Sequence, residues 1–220
     1  MNWIIYTLNL TTQTLLWVQF YKTLLCKNSV SLRFTTEQIQ NFMSITHNLV
    51  CLLFILMYHK TEWSEIIPFM CIWSQSYYIF DSFNYSGHKD QTTMILHHIG
   101  GALSELYLMT LCYDPLNHGG KAVLWGFFYC EISNYPMYYI FHYTHRVSGE
   151  LNYVDPLWHL VVGLSFWILR GSVGVYYLFI VPVTTNTLWL IIFTFWVLSL
   201  YWGVCMVRKY FYKKNLNQHY

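Results

Sequence analysis

Apolar positions gather into seven windows separated by short polar links, over residues 3–25, 39–58, 66–85, 93–113, 118–143, 157–180 and 186–207. Each is about as long as a helix needs to cross a bilayer, since ~20 residues at ~1.5 Å rise cover the hydrocarbon layer. The pattern therefore predicts an all-α fold, a polytopic transmembrane bundle of six to seven spans. The first window is the weakest, because Thr11, Thr12, Gln13 and Thr14 interrupt it, and it either spans or lies along the interface. In the fifth, Pro136 removes a backbone hydrogen bond and predicts a kink around Ser133 and Asn134, with freed carbonyls beside Glu131. No internal repeat, low-complexity tract or long linker divides the chain, so one compact helical domain is expected, with an N-terminal helix over 1–32 and a basic tail over 213–220.

Composition supports the membrane reading. Charged residues are 10% of the 220, against about a quarter in an ordinary soluble domain. The mean hydropathy is +0.33. Twenty tyrosines and ten tryptophans suit a chain with two membrane–water interfaces. The net charge of +2, without a dense basic stripe, argues against nucleic acid as a partner. Cys26, Cys51, Cys71, Cys112, Cys130 and Cys205 are scattered, with no CxxC pair or zinc-ligand spacing, and read as single thiols. The N-terminus lacks the charged region and cleavage site of a signal peptide.

Basic residues set the orientation. Lys22, Lys27, Arg33, Lys89, Arg146, Arg208, Lys209, Lys213 and Lys214 fall on the side of the C-terminus, and only Lys60 and Lys121 fall opposite. That asymmetry places the C-terminus in the cytosol. The basic, aromatic tail reads first as a stop-transfer flank, with attraction to anionic lipid as the alternative.

Polar groups inside the windows carry the candidate chemistry, because in hydrocarbon they are costly and face a bundle interior or a wet cavity. Asp81 sits four residues before the end of its window and His97 four after the start of the next, so both lie ~6 Å inside the same face. The intervening link makes the two helices antiparallel neighbours, and an Asp–His hydrogen bond is expected that would fix the imidazole tautomer. His97 and His98 are adjacent and point about 100° apart on a helix. His47 enters from the same face, ~12 Å deep. Glu105, Glu131 and Arg170 come out near mid-depth on three windows, and a carboxylate partner is expected for Arg170. Gly100, Gly101, Gly163, Gly171 and Gly174 are read as sites of close helix approach.

Taken in order, these positions resemble the TLC domain family. The pattern is His47 in SITHNLV, Tyr77 and Asp81 in YYIFD, His97 and His98 in HHIGG, Glu131 and Ser133 in EIS, Arg170 in WILRG, and a last aromatic span running into a basic tail. The resemblance covers about residues 33–212. It implies six or seven membrane helices around a long lipid cavity open to the cytosol, in the endoplasmic reticulum. It further implies catalytic roles for His97, His98 and Asp81, with His47, Tyr77, Glu105, Glu131, Ser133 and Arg170 lining the lipid site. The ceramide synthases of that family transfer an acyl group from acyl-CoA to a sphingoid amine. They carry an HDxxD element where this chain has CEISNYP, so the chain looks closer to the TLC-domain-containing branch.

Two functions follow as expectations. One is a lipid-binding or lipid-processing protein that affects membrane lipid composition. The other is an N-acyltransferase in which His97 or His98 acts as general base or acyl carrier, with acyl-CoA as co-substrate and Lys89 and Arg146 near its phosphates. No cofactor and no metal are expected, since the histidine boxes of metal-dependent lipid oxygenases are incomplete here. Membrane lipids are the expected partners, with a homodimer as the one protein association considered.

Overall fold

A computed structural model describes residues 3–27, 34–63, 65–84, 91–112, 118–144, 155–179 and 186–216. Arg33, Lys89, His145 and Arg146 lie outside them, as does most of the link between Asp81 and His97. The described chain is all helix: α1 (Trp3–Lys27), α2 (Thr36–Thr61), α3 (Ile66–Asn84), α4 (Gln91–Cys112), α5 (His118–Ile132), α6 (Tyr135–Thr144), α7 (Leu157–Ser165), a π-helical segment (Phe166–Gly171), α8 (Ser172–Phe179) and α9 (Asn186–Leu216). With α5–α6 and α7–α8 each read as one interrupted rod, the rods follow the seven apolar windows within a few residues, except that α9 runs on through the basic stretch to Leu216.

Local signals explain several boundaries. Thr35 and Gln38 form a reciprocal capping box at the start of α2. The Gln38 N–H donates to Thr35 Oγ1 at 3.1 Å, and the Thr35 N–H donates to Gln38 Oε1 at 3.0 Å. Glu62, just past the end of α2, adopts a left-handed φ of 53°, the conformation that commonly closes a helix. The rod over 118–144 breaks where Pro136 predicts, with Ser133 and Asn134 in a turn between α5 and α6. There the Asn134 N–H donates to Glu131 O at 3.1 Å, one residue short of the α-helical partner, which releases Cys130 O.

Two helical stretches among the described residues, Thr36–Thr61 and Leu157–Tyr176, are long and apolar enough to cross a membrane by length and composition. The other rods are diluted by polar groups: the Thr11–Thr14 run in α1, Ser74, Gln75, Ser76 and Asp81 in α3, and His97, His98 and Glu105 in α4.

Contacts divide the chain into two compact units. The first comprises Met1–Ser31 and Thr46–Leu124, the second Leu32–Ile45 and Trp125–Tyr220. Within the first, α3 packs against both α1 and α4. Trp17 of α1 is buried against Trp73, Tyr77 and Phe80, with ring centroids 4.4, 5.2 and 6.3 Å away. Gly101 lets α4 approach α3, since a Cβ there would stand 2.9 Å from the Tyr78 ring. Within the second unit, α7, the π segment and α8 run along α9, and α6 packs on α7. Its core joins Ile140, Val162 and Phe166, with Trp202 and Met206 against them. Gly163 is the point of closest approach, where a Cβ would meet Val207 Cγ2 at 2.7 Å and Gly203 O at 3.0 Å.

Candidate functional site

The residues singled out in the sequence form two clusters, one in each unit. In the first, α3 and α4 bring Asp81 and His98 together: Nε2 of His98 lies 3.5 Å from Asp81 Oδ2, with both side chains buried. The other ring nitrogen, Nδ1, is 3.3 Å from Ser82 Oγ. The Ser82 hydroxyl itself donates to Tyr78 O at 2.7 Å, which fixes its position on α3. The His98 ring stacks on Tyr78, 5.0 Å between centroids and 16° between planes. The imidazole thus has a carboxylate at one nitrogen, a hydroxyl at the other and an aromatic face beneath it. The sequence set His97 level with Asp81, but the ring that meets the carboxylate is that of His98; His97 is half-buried, its ring centroid 5.8 Å from that of His98.

His47 of α2 joins the same unit through Tyr77, on which it stacks at 4.3 Å and 15°. Its Nε2 is 2.9 Å from Ser74 Oγ and 3.5 Å from Cys51 Sγ. Tyr77 and Tyr78, side by side on α3, therefore each carry one imidazole. Gln75 completes the polar row: its Nε2 donates to Ala102 O of α4 at 3.1 Å, and its Oε1 accepts the Tyr6 hydroxyl of α1. Glu105, one turn beyond the Gly100–Gly101 pair, is 2% exposed, so its carboxylate is enclosed in an apolar helix unit.

The second cluster is built around Arg170, buried at 6% exposure within the π-helical segment. Its partners among the described residues are neutral oxygens, where the sequence predicts a carboxylate. Nε donates to Ser133 Oγ at 2.6 Å, and Nη2 donates to Cys130 O at 3.2 Å and to Asn134 Oδ1. The guanidinium also lies over the Phe166 ring, 4.2 Å from its centroid. Glu131 enters one bond further out, its Oε2 accepting from Asn134 Nδ2 at 3.2 Å. The reason is the break at Pro136. It frees Cys130 O and turns Ser133 and Asn134 toward α7, so the broken helix offers three acceptors to one fork-shaped donor. Ser165 adds a fourth tie, donating to Ser133 O at 3.3 Å.

Ser82, Ser74 and Cys51 were not legible as partners. Ser82 follows Asp81, and Ser74 precedes Tyr77 by three, so helical spacing alone could have suggested both. Cys26, Cys51, Cys71, Cys130 and Cys205 are free thiols. Among the described residues no group of three or more His, Cys, Asp or Glu side chains converges as a metal would require. No protein-family model, no curated protein and no solved structure matches the chain.

Proposed function

We propose that the chain is a multi-pass membrane protein of TLC type that binds or processes lipid acyl chains and so alters membrane lipid composition. The observation that carries this reading is the buried His98–Asp81 pair. Such a pair is expensive to keep in an apolar helix unit unless the polar groups meet something there. The outward faces agree with lipid as solvent. Ile4, Ile5, Leu8, Leu15 and Leu16 of α1 are exposed, a band too apolar to leave in water. By the distribution of basic residues, the C-terminus faces the cytosol, and the resemblance suggests the endoplasmic reticulum as the membrane.

A second reading, N-acyl transfer from acyl-CoA to a sphingoid or other amine, draws on the same geometry. His98, with Asp81 at Nε2 and Ser82 at Nδ1, is held in one orientation, as a general base or acyl carrier must be. The absence of an HDxxD element favours the first reading over this one. Labelled acyl-CoA supplied to the purified protein, with and without sphingoid base or lysophospholipid, separates them. Product that disappears in His98→Ala supports transfer. Altered lipid profiles on expression, with no product from any acceptor, support binding without turnover. Neither effect, in a folded and membrane-inserted protein, would remove both.

A further inference from the structure

The end of the second unit where α7 begins and α9 finishes is not used by either cluster. The contact between Gly163 and Val207 sets α7 and α9 antiparallel, since Trp167 donates to Leu200 O and Trp196 to Gly171 O further along. One turn before Gly163 is His159, 4% exposed, and beyond Val207 are Lys209 and Lys213. Trp202 and Met206 of α9 pack against Val162 of α7 and Phe166 just beyond it, with the Phe166 and Trp202 rings 6.4 Å apart. The same two stripes continued toward this end carry His159 on α7 and Lys209 and Lys213 on α9. Lys213 is only half-exposed, and burial together with Lys209 holds its ammonium below the ordinary lysine range. Among the described residues at this end, Asp155 accepts the Leu157 N–H through Oδ1 at 2.8 Å. Crowding like charges is unfavourable, and an anion placed among them would relieve it.

We propose that these paired helix ends form a seat for a phosphate group, held by Lys209, Lys213 and His159. Depth supports a phosphate at this level. Trp158, next to His159, packs its ring 4.2 Å from Tyr139, which lies 4.5 Å from Tyr143, an aromatic cluster of the kind that settles among lipid headgroups. A stop-transfer flank needs positive charge only, in any arrangement. Here a buried imidazole from α7 lies level with the α9 stripe that carries Lys209 and the half-exposed Lys213. The seat is independent of what His98 and Asp81 do.

The test sets two double variants of equal charge against each other. Purified full-length protein in neutral detergent is titrated with phosphatidic acid, with phosphatidylcholine as control, and bound lipid is read by native mass spectrometry. Lys209→Gln with Lys213→Gln is expected to weaken phosphatidic acid at least about tenfold, whereas Arg208→Gln with Lys214→Gln leaves it nearly unchanged. Lys209→Arg with Lys213→Arg restores binding, which guards against a folding defect, and His159→Gln alone weakens it several-fold. Displacement by inorganic phosphate would assign the seat to the phosphate group itself, and failure to displace would assign it to a phospholipid. Equal loss in both glutamine pairs, or phosphatidic acid held no better than phosphatidylcholine, would overturn the proposal.

Discussion

His98 Nε2 meets Asp81 Oδ2 at 3.5 Å across the contact between α3 and α4, and the ring of His97, one residue earlier, stands 5.8 Å from that of His98 and tilted 47° to it. Adjacent histidines that look equivalent in sequence are therefore expected to behave differently. His98→Ala should abolish any effect of the protein on membrane lipids and lower its stability by about 1–3 kcal/mol, because Asp81 is left buried without its imidazole. His97→Ala should retain most of both. Lipid profiling of expressing cells, with thermal unfolding of the purified variants, checks the pair.

The polar cluster of the second unit makes a sharper demand. Lysine carries the charge of Arg170 but not its planar fork, and cannot serve Ser133, Cys130 and Asn134 together. Arg170→Lys is expected to cost about 1–3 kcal/mol, and Ser133→Ala should add little once the fork is gone. A double-mutant cycle of thermal or denaturant stability reads this coupling.

Pro136→Ala offers a test in which helix propensity points the wrong way. Alanine is by far the better helix former, which alone would stabilise a helix interior. Here, restoring a continuous helix would take back the carbonyl of Cys130 and turn Asn134 from Arg170. Lower stability is therefore expected, with the loss largely absent when Arg170 is already replaced by Met.

Close approach can be probed at Gly101. An added Cβ stands 2.9 Å from the Tyr78 ring that supports His98, so Gly101→Ala should destabilise by about 1–3 kcal/mol and disturb the imidazole. Trimming the ring with Tyr78→Leu should recover part of the packing loss without recovering lipid effects.

Much of the helical layout was readable because it depends on period and length. Apolar windows mark the rods, and one proline marks the break at Ser133 and Asn134. An Asp–His meeting across the link between α3 and α4 was readable from depth, but the depth argument set Asp81 level with His97, whereas the ring that reaches the carboxylate is that of His98. What failed to show was whatever rests on rotation about a helix axis. Depth pointed to His97, whereas His98 is the ring that stacks on Tyr78 and meets Asp81. The neutral partners of Arg170 were hidden for a related reason. WILRG carries no proline or other mark of a π turn, yet that turn sets where the guanidinium points. His159 gave no signal at all, since its neighbours lie fifty residues away on α9.

Mass spectrometry of lipid retained through gentle purification addresses the central claim most directly, with wild type compared to Asp81→Asn, a replacement of nearly equal shape. The expected result is one defined class of acyl-chain lipid carried by the wild type and largely lost from the variant, with both proteins folded. Wild type that arrives with no lipid beyond the bulk membrane mixture, or a variant that keeps the same lipid in the same amount, would contradict it.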